Sequence, residues 1–284
     1  MTALSSPLYP ALMSFSLTTL ALEALRKIAS AVLWDARSSR FSFSKCSVLL
    51  GTLVSITDVI IYADSLVSPE TFRESKAKVV IKTSNLHIEQ INGLVKKYSD
   101  EGLDITRLHS GDPAIYGAIN DEIEFFNKNG IKYEIIPGIS SVFAAAASMG
   151  IELTSPGTTQ SVILTRVPRR TEHFENESLE LLASHKTALA IFLSASNAKA
   201  VSDKLIRAGY SGDDRAVIAY RVSWPDEKII DTTIGNLEHA LFENRINRQA
   251  LIMVGGNISY DSDKKSYLYN PEFTHLFRKS SKKS

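Results

Sequence analysis

Two short stretches hold the residues best suited to gripping a small polar ligand. They are Ser110, Gly111 and Asp112 in RLHSGDPAIYGA (107–118), and Gly138, Ser140 and Ser141 in YEIIPGISS (133–141). In each, an apolar run of strand character passes into a turn of small residues and then into a helical pattern. Such a junction presents backbone amides at the carboxyl end of a strand, where open α/β sheets bind ligands, and a glycine lets the ligand approach the chain closely. Asp112 adds a carboxylate that can accept hydrogen bonds from ribose hydroxyls or from the amino group of an amino acid. A plain helix start uses the same residues, with Ser110 or Asp112 as N-cap and Pro113 at the first helical position.

Other chemistries find little support. The six histidines are scattered without metal-ligand spacing, so each is read as a surface or packing residue and no metal is expected. Cys46 is the only cysteine, which excludes an internal disulfide and a cysteine-rich metal site and points to a reducing cytosol. A net charge of +1 provides no long-range field for a nucleic-acid backbone. Glu23, Arg26 and Lys27 interrupt the longest apolar candidate for a membrane span, which needs roughly 18 uninterrupted residues.

The elements that must position the two stretches follow from hydrophobic periodicity. DVIIYA (58–63), KVVIK (78–82), ITRLH (105–109) and YEIIP (133–137) are short, β-branched and bounded by turn or charged residues. Residues 86–99 and 118–127 carry apolar side chains at helical spacing between them, which predicts a mainly parallel sheet. VFAAAASMG (142–150) reads as a buried helix ended by Gly150. After the Pro- and Gly-containing LTSPGTT (153–159), further strands are predicted at 161–167, 187–194, 216–222, 228–234 and 249–256, with helices near 196–208 and 236–243. Domains are placed at 1–155 and 156–262, followed by a tail.

SGDPAIYGA and PGISSVFAAAASMGIELT at this separation resemble the two strongest markers of the tetrapyrrole methylase family. A third stretch, YRVSWPDEKIIDTTIGNL (220–237), resembles a second-domain segment of those members that methylate precorrin-4. The resemblance runs from about Asp58 to about Pro271. It implies a two-domain α/β fold, with a mainly parallel sheet in the first domain, a mixed-sheet α/β second domain, and S-adenosylmethionine as cofactor in the cleft between them. It further implies a homodimer that C-methylates a corrin precursor, precorrin-4 or its cobalt form, in cobalamin synthesis. Carried over by position, Ser110, Gly111, Asp112, Ile115, Ser140 and Ser141 line the cofactor, and Leu193 and Val222 close its adenine side. Asp64 in IYADSLVS matches an acidic position that faces the macrocycle. Because precorrins bear many carboxylates, Arg166, Arg169 and Arg170 in TRVPRR are the candidate substrate cations. Each of the three is equally well read as part of a solvated loop. Arg221 is read either as a contributor or as a structural pair.

The amino-terminal part departs from the family pattern. Relatives open with a strand, a GAGPGDP-like loop and a helix, whereas residues 1–57 hold one glycine, Gly51. Counting back from Asp58 places the first strand near 31–34 and the loop at RSSRFSF, 37–43. A shifted reading frame or start, an appended targeting segment, or a real variant with altered cofactor contacts would each account for this. The last leaves open a homologue that binds without turnover. Methylation of another tetrapyrrole is the alternative within the family.

Overall fold

The computed structural model describes residues 40–43, 54–168 and 175–259, with 274, 276 and 278. The chain forms two compact units that part between Ser140 and Ser141, ahead of the boundary at 155 expected from the Pro- and Gly-containing segment.

The first unit is built on a sheet whose strand order is β3-β2-β4-β1-β5, with every pairing parallel. The strands are β1 (Arg40–Phe43), β2 (Val59–Tyr62), β3 (Val79–Lys82), β4 (Ile105–Leu108) and β5 (Lys132–Glu134). β2 and β4 are buried at all four positions, as expected of a parallel strand covered on both faces. Helices α1 (Ile88–Asp100) and α2 (Ile119–Lys128) follow β3 and β4. Ile91 and Val95 of α1 and Phe126 of α2 pack with Val59, Ile61, Ile105 and Ile136 in one core cluster. Truncating Ile61, which is fully buried, to Ala would cost about 2–5 kcal/mol.

β1 corrects the reading of the amino-terminal segment. Arg40–Phe43 falls within RSSRFSF, where a loop is expected, yet it forms a strand in register with both β4 (Phe43↔Arg107) and β5 (Ser42↔Glu134). The alternation of RFSF suits a strand better than a phosphate-type turn. The expected strand at 31–34 lies outside the described residues. β5 also differs from expectation, since it ends at Glu134 and leaves 135–137 outside the sheet.

The second unit holds a mixed sheet of order β6-β7-β10-β8-β9. Its strands are β6 (Val162–Arg166), β7 (Ala188–Phe192), β8 (Arg215–Tyr220), β9 (Lys228–Thr233) and β10 (Ala250–Val254). β6 and β7 are parallel, while β10 runs antiparallel to both β7 and β8. Helix α3 (Ser141–Met149) covers one face, placing Val142, Ala145 and Ala146 with Ala190, Val217, Leu251 and Met253. Its alanines allow the close approach that joins this helix to the second unit. Helices α4 (Leu179–Ser184), α5 (Ala198–Arg207) and α6 (Leu237–Glu243) contribute Leu179, Val201, Leu205 and Leu241 to the cluster on the other face. The short α4 escaped periodicity because six residues hold less than two turns.

Candidate functional site

In the first unit the expected ligand loops leave the carboxyl ends of neighbouring strands. β2 and β4 are paired through Tyr62↔Leu108, and the Ala63 amide donates to the Leu108 carbonyl at 3.3 Å. Asp64 follows one strand and Ser110, Gly111 and Asp112 follow the other. β5 then leads to Gly138, which meets the second loop: a β-carbon built on Gly138 would lie 2.0 Å from the Gly111 oxygen. Gly111 itself has φ +66°, in the left-handed region that glycine adopts freely. The two stretches singled out by their small residues are therefore in backbone contact.

Asp112 makes that contact specific. Its Oδ1 accepts from the Ala114 amide at 2.8 Å and its Oδ2 from the Gly138 amide at 3.1 Å. The first bond caps the turn that begins at Asp112; the second crosses to the other loop. Both oxygens keep further lone pairs for a ligand. Ser110 is exposed, Ile115 half-buried and Ser140 buried. The Ile115 amide donates to the Asp112 carbonyl at 3.1 Å.

Asp64 is fixed by one residue. Its Oδ1 accepts from the Ser84 amide at 2.9 Å and its Oδ2 from the Ser84 hydroxyl at 3.0 Å. Partial burial works to raise its pKa, but the Ser84 hydrogen bonds and the nearby Lys82 outweigh that and leave it lowered. The group is thus held as a carboxylate.

In the second unit, Arg166, Leu193 and Val222 lie at the same end of the sheet, at or just past the carboxyl ends of β6, β7 and β8, because β6 and β7 are parallel and β8 lies on the far side of antiparallel β10. Arg166 is paired in register with Phe192 and is exposed. Leu193 has φ +53° and is 59% exposed, an uncommon combination for a branched apolar residue. Val222 is partly buried against the cluster beneath α3, and Ser141 opens that helix. Arg169 and Arg170 lie outside the described residues.

Arg221 is paired within its own segment. Its Nε donates to Gln249 Oε1 at 2.8 Å, its Nη1 to Asp226 Oδ2 at 2.6 Å, and its guanidinium lies 4.4 Å from the Trp224 ring centroid. Both Trp224 and Asp226 belong to RVSWPDE, so the stretch is folded around its own arginine.

Sequence reasoning missed a buried group beneath the second loop. Arg107, His109 and Glu122 are 5%, 8% and 2% exposed. Alternation within the strand is silent about such a group, because β4 is buried on both faces and Arg107 reads there as an interruption of the apolar run. Glu122, in the first turn of α2, would have been a signal only if paired with Arg107 across the turn.

Comparison with known proteins gives one consistent picture. Residues 52–238 match the family model described as Tetrapyrrole (Corrin/Porphyrin) Methylases. The cobalt-precorrin-4 C(11)-methyltransferase of Priestia megaterium is 44% identical over 234 residues, which is 81% of this chain and 91% of that protein. The X-ray structure of a cobalt precorrin-4 methyltransferase, described as a cobalamin biosynthetic enzyme, superposes with a TM-score of 0.72 at 41% identity. It covers 76% of this chain and 94% of that one. The uroporphyrin-III C-methyltransferase of Thermus thermophilus, solved with S-adenosylhomocysteine, shares the fold with a TM-score of 0.63 at 18% identity, over 78% of this chain and 100% of that one.

Proposed function

The chain belongs to the tetrapyrrole methylases, and from that premise we propose that it is an S-adenosylmethionine-dependent enzyme that methylates C-11 of precorrin-4 or its cobalt form in cobalamin synthesis. The observation that carries the reading is the meeting of the Gly111 and Gly138 loops at the carboxyl ends of β4 and β5. Such a place fits a cofactor recognised largely through backbone, because two glycines remove the side chains that would hold it off.

S-adenosylmethionine supplies a methyl group already activated on a sulfonium, so the chain need not generate a strong nucleophile or bind a metal. What remains is to hold the two reactants in line and to exclude water. We assign Ser110, Gly111, Asp112, Ile115, Ser140 and Ser141 to holding the cofactor, with Asp112 accepting from its hydroxyl or amino groups through lone pairs its backbone bonds leave over. Leu193 and Val222 are assigned to its adenine. Arg166, Arg169 and Arg170 are assigned to the acetate and propionate carboxylates of the macrocycle. Asp64, held ionised by Ser84, offsets the positive charge that the macrocycle acquires as the methyl adds, and can hold the proton that is subsequently lost.

A cytosolic homodimer completes the proposal; the lone Cys46 supports a reducing compartment. Among the described residues no helix is long and apolar enough to cross a membrane. The test is incubation with precorrin-4, with and without cobalt, and S-adenosylmethionine labelled in the methyl group. Mass spectrometry should find one labelled methyl on the corrin, at C-11. Binding of S-adenosylhomocysteine without any methylated corrin would instead support a binding homologue.

A further inference from the structure

The span between β4 and α2 is conformationally demanding. Gly111, Tyr116 and Ala118 have φ values of +66°, +55° and +52°, and the last two carry side chains that disfavour this region. Gly117 is also wedged, since a β-carbon there would lie 2.1 Å from the Pro113 oxygen. A backbone of this kind persists only where its surroundings over-determine it.

What brackets the span is a buried ion pair. Arg107, in β4, donates from Nε to Glu122 Oε1, in the first turn of α2, at 3.2 Å, with side chains 6% and 2% exposed. Arg107 Nη1 also donates to the Leu108 carbonyl at 3.1 Å and to the Ile61 carbonyl on β2 at 3.4 Å. His109 Nε2 stands 3.7 Å from the second oxygen of Glu122. One guanidinium therefore reaches both ends of the span and the neighbouring strand, whose continuation is Asp64. Buried ion pairs are weak stabilisers compared with apolar side chains of similar volume, so stability alone is a poor reason for this one.

We propose that Arg107 and Glu122 are positioning residues, a buried staple that fixes the two ends of 109–118 and so sets Gly111 and Asp112 against Gly138. The inference rests on the assignment of that loop to S-adenosylmethionine. It assigns cofactor affinity to two side chains that need not touch the cofactor.

The test compares the wild-type chain with Glu122→Gln and with the double variant Arg107→Met/Glu122→Leu, which replaces the pair by apolar groups. Thermal melting, S-adenosylhomocysteine titration, KM for both substrates and amide hydrogen exchange are measured on each. The double variant is expected to melt close to the wild type, while S-adenosylhomocysteine binds about tenfold or more weakly and KM for the corrin stays within about twofold. Glu122→Gln, which keeps an acceptor for Arg107 but not the charge, should show a smaller loss in the same direction. Exchange at 110–118 should accelerate in both variants while β2 and β4 remain protected. Folded variants with wild-type affinity and wild-type exchange overturn the staple; if the double variant does not fold, Glu122→Gln decides alone by the same criteria. Failure of the wild type to bind S-adenosylhomocysteine would refute the cofactor assignment, and the exchange measurement would still decide whether the pair holds the loop.

Discussion

Gly138 packs its α-carbon against the backbone of Gly111 so tightly that an added β-carbon would lie 2.0 Å from the Gly111 oxygen and 3.0 Å from its carbonyl carbon. Neither loop can keep its path if either backbone moves by the width of a methyl group.

Gly138→Ala should therefore separate the loops. The expected cost is about 1–3 kcal/mol of stability, together with at least about tenfold weaker S-adenosylhomocysteine binding. Calorimetry and titration measure the two. Gly93→Ala is the control, since a β-carbon there meets nothing within 4 Å and the position lies inside α1. It should leave binding alone and stabilise by up to about 1 kcal/mol.

Asp112 carries a different expectation from the one its sequence suggests. A carboxylate aimed only at ligand could be removed with little change in melting temperature, but this one holds the amides of Ala114 and Gly138. Asp112→Ala should lower both cofactor affinity and stability, the latter by about 1–3 kcal/mol. Asp112→Asn, which retains one acceptor oxygen, should recover part of the stability. Loss of affinity with an unchanged melting curve would show that the bridge between the loops contributes nothing.

Replacing Arg166, Arg169 and Arg170 together by Ala should raise KM for the corrin several-fold and leave S-adenosylhomocysteine binding unchanged. Added salt should reproduce the defect in the wild type, because partly exposed ion pairs are screened within about 8–10 Å at physiological ionic strength. An equal loss of both affinities would contradict the division of roles between the arginines and the glycine loops.

The amino-terminal segment makes a prediction of its own. Installing a GAGPGDP-like sequence at 37–43 would overwrite β1, which pairs with β4 on one side and β5 on the other. Such a chain should fail to give a cooperative first unit, by circular dichroism and limited proteolysis. Improved cofactor binding would show that Arg40–Phe43 is dispensable as a strand.

His109 gives the stability a pH dependence. Burial lowers its pKa below the ordinary 6.5; Glu122 opposes this and Arg107 adds to it. As pH falls through about 6.5, the unfolded chain takes up the proton first, so this group's share of stability is complete above that pH and declines below it until the folded chain titrates as well. Melting temperature should therefore drop more steeply between about pH 6.5 and 5 in the wild type than in His109→Asn. Parallel curves would show that His109 is not the group responsible.

Much of the architecture was legible because its cause is local. VIIY is apolar and β-branched enough to specify a covered strand, ITRL has the β-branched start of a strand, and the stripe of Ile91, Leu94, Val95 and Tyr98 specifies the inner face of α1. The unusual turns at Gly111 and Gly138 were legible because glycine and aspartate announce them. What the order of residues does not reveal is which distant atom a polar group meets. Asp112 reaches Gly138 across 26 residues, and Arg107 reaches Ile61 across 46. β1 is the complementary case: the local alternation of RFSF, and not the distance back from Asp58, goes with the strand.

β10 lies between β7 and β8, although it follows both in the chain. During synthesis, β7 and β8 leave the ribosome with facing edges unpaired, and the sheet can close only after Val254 has emerged. In that interval the nascent second unit presents two open rows of amides and carbonyls, a template for pairing with other chains. A message truncated before Ala250 would make that exposure permanent. The first unit has no such debt to the far end of the chain, since its last strand ends at Glu134. Demand for chaperones should accordingly rise late in translation and fall abruptly once the final strand slots into the middle of the sheet.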